Sequence, residues 1–358
     1  MNAHGMEDCC TSLLTYFVNQ MALDFVVFRD MSAGVECGAV SVARASTVTM
    51  RGVVFEKCSA VVAGGAVCLH EFAVAEIGAS RFCDCEAASG GALLLMGNVR
   101  LTLRAVDMLR NCATSLHGGG MHADGSHNTI LIYGGVFTQN TAVTGNGGMA
   151  SLAASSRMVL LGPATVSRGL AASGAGVHAK QGSEIDLKHA VFRDGEAGGT
   201  GVLSWGGLGG AICLLDTSSL VASNSTFLNN AATHDGGALY QRDGSMILVK
   251  VQIVGNVAGG KGGGVALVQG TLTASNLSVV SNVAGGDGGG ISLTVSAAPS
   301  VSTLLDCKVS NNTCRGNGGG IFLVGMLARK QSRSLVQVSW PAVFSKFCCE
   351  ISFVPSLC

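Results

Sequence analysis

Apolar residues along this chain alternate in short runs of period two, and the runs recur. Val67-Cys68-Leu69, Leu93-Leu94-Leu95, Val265-Ala266-Leu267, Ile291-Ser292-Leu293 and Ile321-Phe322-Leu323 all place apolar residues one apart. A second alternation follows, as in Leu101-Thr102-Leu103, Ile130-Leu131-Ile132 and Ile185-Asp186-Leu187. Such alternation predicts half-buried strands, and no 3.6-residue period competes with it. A third run opens on a large apolar residue and reads Phe-x-x-Asn-x-Ala, complete in Phe137–Ala142 and Phe227–Ala232.

The runs are phased by a Gly-Gly-small-apolar phrase. Clear copies are Gly64-Gly65-Ala66-Val67, Gly90-Gly91-Ala92-Leu93, Gly236-Gly237-Ala238-Leu239 and Gly288-Gly289-Gly290-Ile291. Taking the third residue as anchor gives positions 39, 66, 92, 120, 149, 176, 211, 238, 264, 290 and 320, spaced 26–30 residues apart except for one gap of 35. An Ala column precedes the anchors: Ala33, Ala60, Ala87, Ala113, Ala142, Ala171, Ala197, Ala232, Ala258 and Ala284, with Cys314 in the last copy. One such unit cannot bury its own inner face, whereas stacked units share a continuous core. The prediction is an all-β, right-handed parallel β-helix of about eleven coils, three short strands per coil, over residues 26–325. At about 4.8 Å per coil the rod is about 50 Å long. Residues 1–25 read as an N-terminal extension or cap, and residues 326–358 as a cap or disordered tail.

The register assigns the other columns. Glycines supply the positive φ of sharp corners. The Ala column is inward and crowded. The Asn column (Asn111, Asn140, Asn230, Asn256, Asn282, Asn312) stacks amides from coil to coil and satisfies corner carbonyls; the competing reading is a row of ligand contacts. Charges alternate in sign on successive coils: Asp30, Lys57, Asp84, Arg110 at one corner, and Asp235, Lys261, Asp287 (then Asn317) at another. Alternation removes like-charge repulsion between stacked residues.

Composition narrows function by exclusion. The 358 residues carry 22 basic and 22 acidic side chains, 12% charged, with 52 glycines. Zero net charge argues against a nucleic-acid surface. The 48% hydrophobic content is enough for a core and argues against disorder. No run of 18 apolar residues exists, so no membrane span is expected.

The paired phrases, Gly-Gly-Ala-apolar and Phe-x-x-Asn-x-Ala, resemble the repeat of the chlamydial polymorphic outer membrane proteins, and similar repeats occur in large β-helix proteins of algae and protists. The resemblance covers residues 26–325. It implies a passenger β-helix used in adhesion at the cell surface, hence an extracellular or surface location and a carbohydrate or cell-surface protein as partner. The family's C-terminal barrel has no counterpart here. Glu7 and Asp8 precede a short apolar run with no basic region before it, so no secretory signal is read. The chain is accordingly expected to be a fragment or a truncated gene product.

Candidate chemistry is sparse. Trp205 lies in an insertion of about eight residues before Ala211. It offers a stacking face to a sugar or a protein, while the plainer reading is a tolerated loop insertion. Asn224, Asn276 and Asn311 begin glycosylation sequons. Fourteen cysteines show no zinc spacing. Cys58 and Cys85 hold the Asn-column place on adjacent coils, within disulfide reach or else simply buried thiols. No catalytic residue, cofactor or metal is assigned. The leading expectation is a non-enzymatic structural or adhesive surface module. The alternative is a polysaccharide lyase or hydrolase of the pectin-lyase-like fold, which needs clustered carboxylates with a base or calcium. The nearest cluster, Glu184, Asp186, Asp194 and Glu196, is diluted because Asp186 alternates with Ile185 and Leu187 on one strand. An ice-binding Thr column is missing, and Gly-Gly-Asp-Gly occurs once, at 285–288, so a calcium-repeat array is rejected as well.

Overall fold

A computed structural model describes residues 13–15, 20–198, 206–295, 301–325, 335–339 and 351–355. These form strands and turns with no helix, hence none long enough to cross a membrane. The strands pair only in parallel, each with its counterparts one coil before and one coil after. Val67 aligns with Val40 and Leu93, and Ala75 aligns with Val48 and Leu101. The predicted solenoid of eleven coils is therefore present.

The repeating coil has four strand columns rather than three, and two of the columns run together as one strand in four coils, as in Arg157–Ser167 and Leu239–Val249. The first three columns are exemplified by Val67–His70, Val74–Gly78 and Arg81–Cys83. They belong to one 32-stranded sheet. The fourth is a two-residue strand such as Glu86–Ala87, and its eleven copies make a separate sheet that ends on the Ala column. Two residues are too few to show a period, so sequence alternation does not reveal them. Ladder strands also occur outside 26–325. Leu13–Thr15 pairs with Val40–Val42 and Gln20–Asp24 with Thr47–Arg51, while Leu335–Ser339 and Ile351–Pro355 pair with the last coils.

Inward positions fill one continuous core. Phe55, Phe82, Phe137, Phe192 and Phe227 are fully buried in the third column. Their rings stack between coils, with centroids 4.7 Å apart for Phe55–Phe82 and 5.4 Å for Phe192–Phe227. The Ala column is buried from Ala60 to Ala284, and Ala113, Ala142 and Ala171 form their own small cluster apart from that core.

The two glycines of the corner phrase do different work. The first takes positive φ, as at Gly64 (+63°) and Gly236 (+70°). The second permits backbone to lie on backbone: a Cβ at Gly237 would sit about 2.7 Å from main-chain atoms of Val257 in the fourth column. The corner between the third and fourth columns is also left-handed, yet mostly not glycine. Asp30, Lys57, Asp84, Arg110, Gln139, Arg168, Asp194, Asn229, Ser281 and Asn311 all have φ between +53° and +57° there, and only Gly255 follows the usual preference.

The Asn column is a structural amide ladder. The Nδ2 of Asn230 donates to Asn256 Oδ1 (3.0 Å), Asn256 to Asn282 (3.0 Å) and Asn282 to Asn312 (2.9 Å). Each Nδ2 also caps a carbonyl, as Asn256 does for Phe227 (3.1 Å). The ladder stops at Gly169 and Gly195, beside Ala175, the one coil whose second corner glycine is replaced. A Cβ on Gly195 would come 3.3 Å from that of Ala175, so bulk moves from one side of the corner to the other.

Candidate functional site: a buried seam along the first strand column

Alternation along the first column should leave every second side chain in solvent. Here those side chains are covered instead. Cys68, Leu94, His122, Ser151, His178, Cys213, Tyr240 and Ala266 are all buried, although they point away from the core. The strip that precedes each glycine corner covers them, so that Cys37 and Ala63 pack on Cys68 and Leu94, and Leu208 packs on Cys213 and Tyr240. Among the described residues, the buried histidines His122 and His178 and the buried Tyr240 all lie in this seam.

Three imidazoles meet at its middle. The His117 ring lies 5.8 Å from that of His122 and 6.4 Å from that of His178, centroid to centroid. His117 Nδ1 accepts the Asn146 main-chain N–H at 3.1 Å, which fixes a neutral tautomer. Burial pushes His117 down to about 4, helped by His122 and Lys180, and burial pushes His178 down to about 3. The neighbouring Asp124 carboxyl is held at about 2, first by its hydrogen bond with His122. Both ring nitrogens of His178, Nδ1 of His122 and Oγ of Ser151 are buried without a protein partner.

At the N-terminal end of the seam, Cys37 and Cys68 form a disulfide, with Cα atoms 5.2 Å apart. His70 Nε2 lies 4.0 Å from Cys37 Sγ and 3.7 Å from Glu36 Oε2. Of the two readings of Cys58 and Cys85, the buried thiols hold: both are free and buried in the core. Their sulfurs turn to carbonyls of their own corner, Cys58 to Glu56 (3.7 Å) and Cys85 to Cys83 (3.5 Å).

Many of the acidic side chains sit beside cations, on an adjacent coil or on their own. Arg110 grips Asp84 with two hydrogen bonds of 2.7 and 2.8 Å and lowers its pKa. Arg29 meets Glu56 at 2.9 Å and Arg104 meets Glu76 at 3.0 Å. In the nearest acidic cluster, Glu184 faces Arg157 (3.6 Å), Asp186 faces Lys188 (3.9 Å) and Asp194 faces Arg193 (3.7 Å). Lys261 stands between Asp235 and Asp287. Its main-chain N–H donates to Asp235 (2.6 Å) and its Nζ lies 3.8 Å from Asp287. Lys261→Glu is expected to lower the urea midpoint more than Lys261→Ala in low salt, by at most about 1 kcal/mol, with the gap closing in high salt. Equal midpoints in low salt would place these residues apart.

Trp205 lies outside the described residues. Asn224, Asn276 and Asn311 are all exposed at left-handed corners, at φ +47°, +52° and +55°. Two shallow grooves border the fourth column, one along Ala33, Ala60 and Ala87 and the other along Ala258 and Ala284; small and apolar side chains dominate both.

No curated protein and no solved structure matches the chain. A family described as "Right handed beta helix region" matches residues 133–328, more than half of the sequence. With the eleven stacked coils already traced, this match makes the chain a member of the right-handed β-helix family.

Proposed function

We propose that the chain is a non-enzymatic β-helix module, structural or adhesive, that works at a cell surface or outside the cell. The observation carrying this reading is the placement of charge. Several carboxylates are met by an Arg or Lys of an adjacent coil, which stiffens a rod and leaves them poorly suited to general acid–base work. The Cys37–Cys68 disulfide suits an oxidising compartment. Exposed sequon asparagines at three corners suit a glycosylated surface protein. The repeat's resemblance to the chlamydial outer membrane proteins supports adhesion, with a carbohydrate or a cell-surface protein as the bound partner.

The reading is tested by binding without turnover. Labelled protein should bind saturably to a panel of immobilised glycans or to whole cells. Asp235→Asn and Asp287→Asn should leave that binding unchanged. Release of the bound glycan as shortened products, lost in either variant, would favour a polysaccharide lyase or hydrolase instead.

A further inference from the structure

Cys37 occupies a singular place in the repeat. It is the first residue of its corner phrase, where the other ten coils carry glycine: Gly64, Gly90, Gly118, Gly147, Gly174, Gly209, Gly236, Gly262, Gly288 and Gly318. Like them it has positive φ (+63°), a conformation that L side chains adopt at a steric cost. A thiol has thus been placed where backbone geometry alone would choose glycine. Cys68 and His70 stand two apart on the strand Val67–His70, so both project from its outer face, toward Cys37. Glu36, adjacent to Cys37, is held there by its bridge to Ala63 of the next coil.

The donor atoms of Cys37, Cys68 and His70 all lie within 4.8 Å of one another, and Glu36 Oε2 is 3.7 Å from His70 Nε2. Tetrahedral zinc, with bonds of about 2.3 Å to sulfur and about 2.0 Å to nitrogen, sets its ligands about 3.5 Å apart. We propose that Cys37, Cys68, His70 and Glu36 form a redox-gated site for a thiophilic divalent cation of the zinc class. In the disulfide form the two sulfurs are bonded to each other and the site is closed. A dithiol reductant opens it: the S–S bond breaks, the dithiol supplies two electrons and two protons and leaves as its own disulfide, and Cys37 and Cys68 become thiols. The cation then displaces both thiol protons and takes two thiolates, the His70 imidazole and the Glu36 carboxylate. Two soft sulfurs select zinc or cobalt over calcium and magnesium. The site lies at the seam's edge, where the side chains of His70 and Glu36 are 20% and 38% exposed, so a cation reaches it without unfolding. The inference shares the Cys37–Cys68 disulfide with the adhesive reading, but its test does not require that reading.

Cobalt is the probe. The full chain, reduced with a dithiol and freed of it without air, is titrated with Co²⁺ and then with Zn²⁺. One equivalent per chain should give thiolate-to-cobalt charge transfer and intense tetrahedral d–d bands, which Zn²⁺ then bleaches. The air-oxidised chain should give neither. Cys37→Gly, which restores the residue carried by the ten other coils and so keeps the fold, should abolish the bands. His70→Ala should weaken cobalt binding at least tenfold, while Cys58→Ser should leave it unchanged. A reduced wild-type chain without the bands, or bands that persist in Cys37→Gly, would overturn the assignment.

Discussion

Replacing Asn256 with alanine should destabilise the rod by about 3 kcal/mol or more, by the loss of several buried hydrogen bonds at once. Asn256 Oδ1 accepts both from the Asn230 main-chain N–H (2.8 Å) and from its Nδ2 (3.0 Å). Asn256 Nδ2 caps the carbonyls of Phe227 and Val254, each at 3.1 Å. Truncation strands these groups in a fully buried corner, where each unpaired donor or acceptor costs about 1–3 kcal/mol. The same change at Asn312 should cost less. Asn312 ends the column and is half-buried, so water replaces its amide. Because each coil touches only its neighbours, the damage should be local. Hydrogen exchange should accelerate in the coils around Asn230 and Asn282 and stay unchanged in those around Val67 and Leu93. A urea midpoint for Asn256→Ala equal to that for Asn312→Ala would mean the amides are not a buried ladder.

Acid should weaken the molecule well before its carboxylates titrate. His178 is buried and His117 half-buried as neutral imidazoles, pushed down by burial to about 3 and about 4, whereas an unfolded histidine titrates near 6.5. The unfolded chain therefore takes up protons first as pH falls. Stability from these two groups is complete above about pH 6.5 and is lost progressively down to the folded values. Each unit of depression corresponds to about 1.4 kcal/mol, discounted at His117, which is partly open to solvent. Asp124, held at about 2, acts only in a lower window, between the ordinary carboxylate range and that value. The urea midpoint should thus fall between pH 7 and pH 4.5 in the wild type. In His178→Ser, which installs the residue present at the equivalent Ser151 and Ser292, the fall should be markedly shallower. An identical slope in both proteins would remove the buried imidazoles as its cause.

What was legible in the sequence is what repeats at a fixed offset. The core alternation, the Ala and Asn columns and the alternating charges recur at fixed places in a unit of 26–30 residues, with one unit of 35, and stacking converts a constant offset into a contact. The missed features do not repeat in type. His122, Ser151 and His178 share one offset from their anchors with Cys68, Cys213 and Tyr240, yet no residue type marks the column. Only the cover of the preceding strip makes it a seam. Aligning outward residues by offset would have shown the two histidines, but not that His117, which lies before its corner, folds onto both. The Cys37–Cys68 pair escapes for the same reason: one cysteine opens its corner phrase and the other follows the next one, so they share no column. Cys58 and Cys85 share a column, but as inward corner residues whose sulfurs turn to carbonyls. The left-handed corner hides in charge: Lys57, Asp84 and Arg110 read as a ladder of ions, which they are, while also holding φ near +55°.

On the function proposed above, the charges of this rod join coil to coil and turn over no substrate. The most direct test is to incubate the purified chain with acidic polysaccharides such as polygalacturonate, with and without Ca²⁺, and to follow both unsaturated uronate absorbance and new reducing ends. The expected result is no product above a heat-denatured control in either channel. Steady product formation that Asp186→Asn, Asp235→Asn or Asp287→Asn abolishes without lowering the urea midpoint would contradict it.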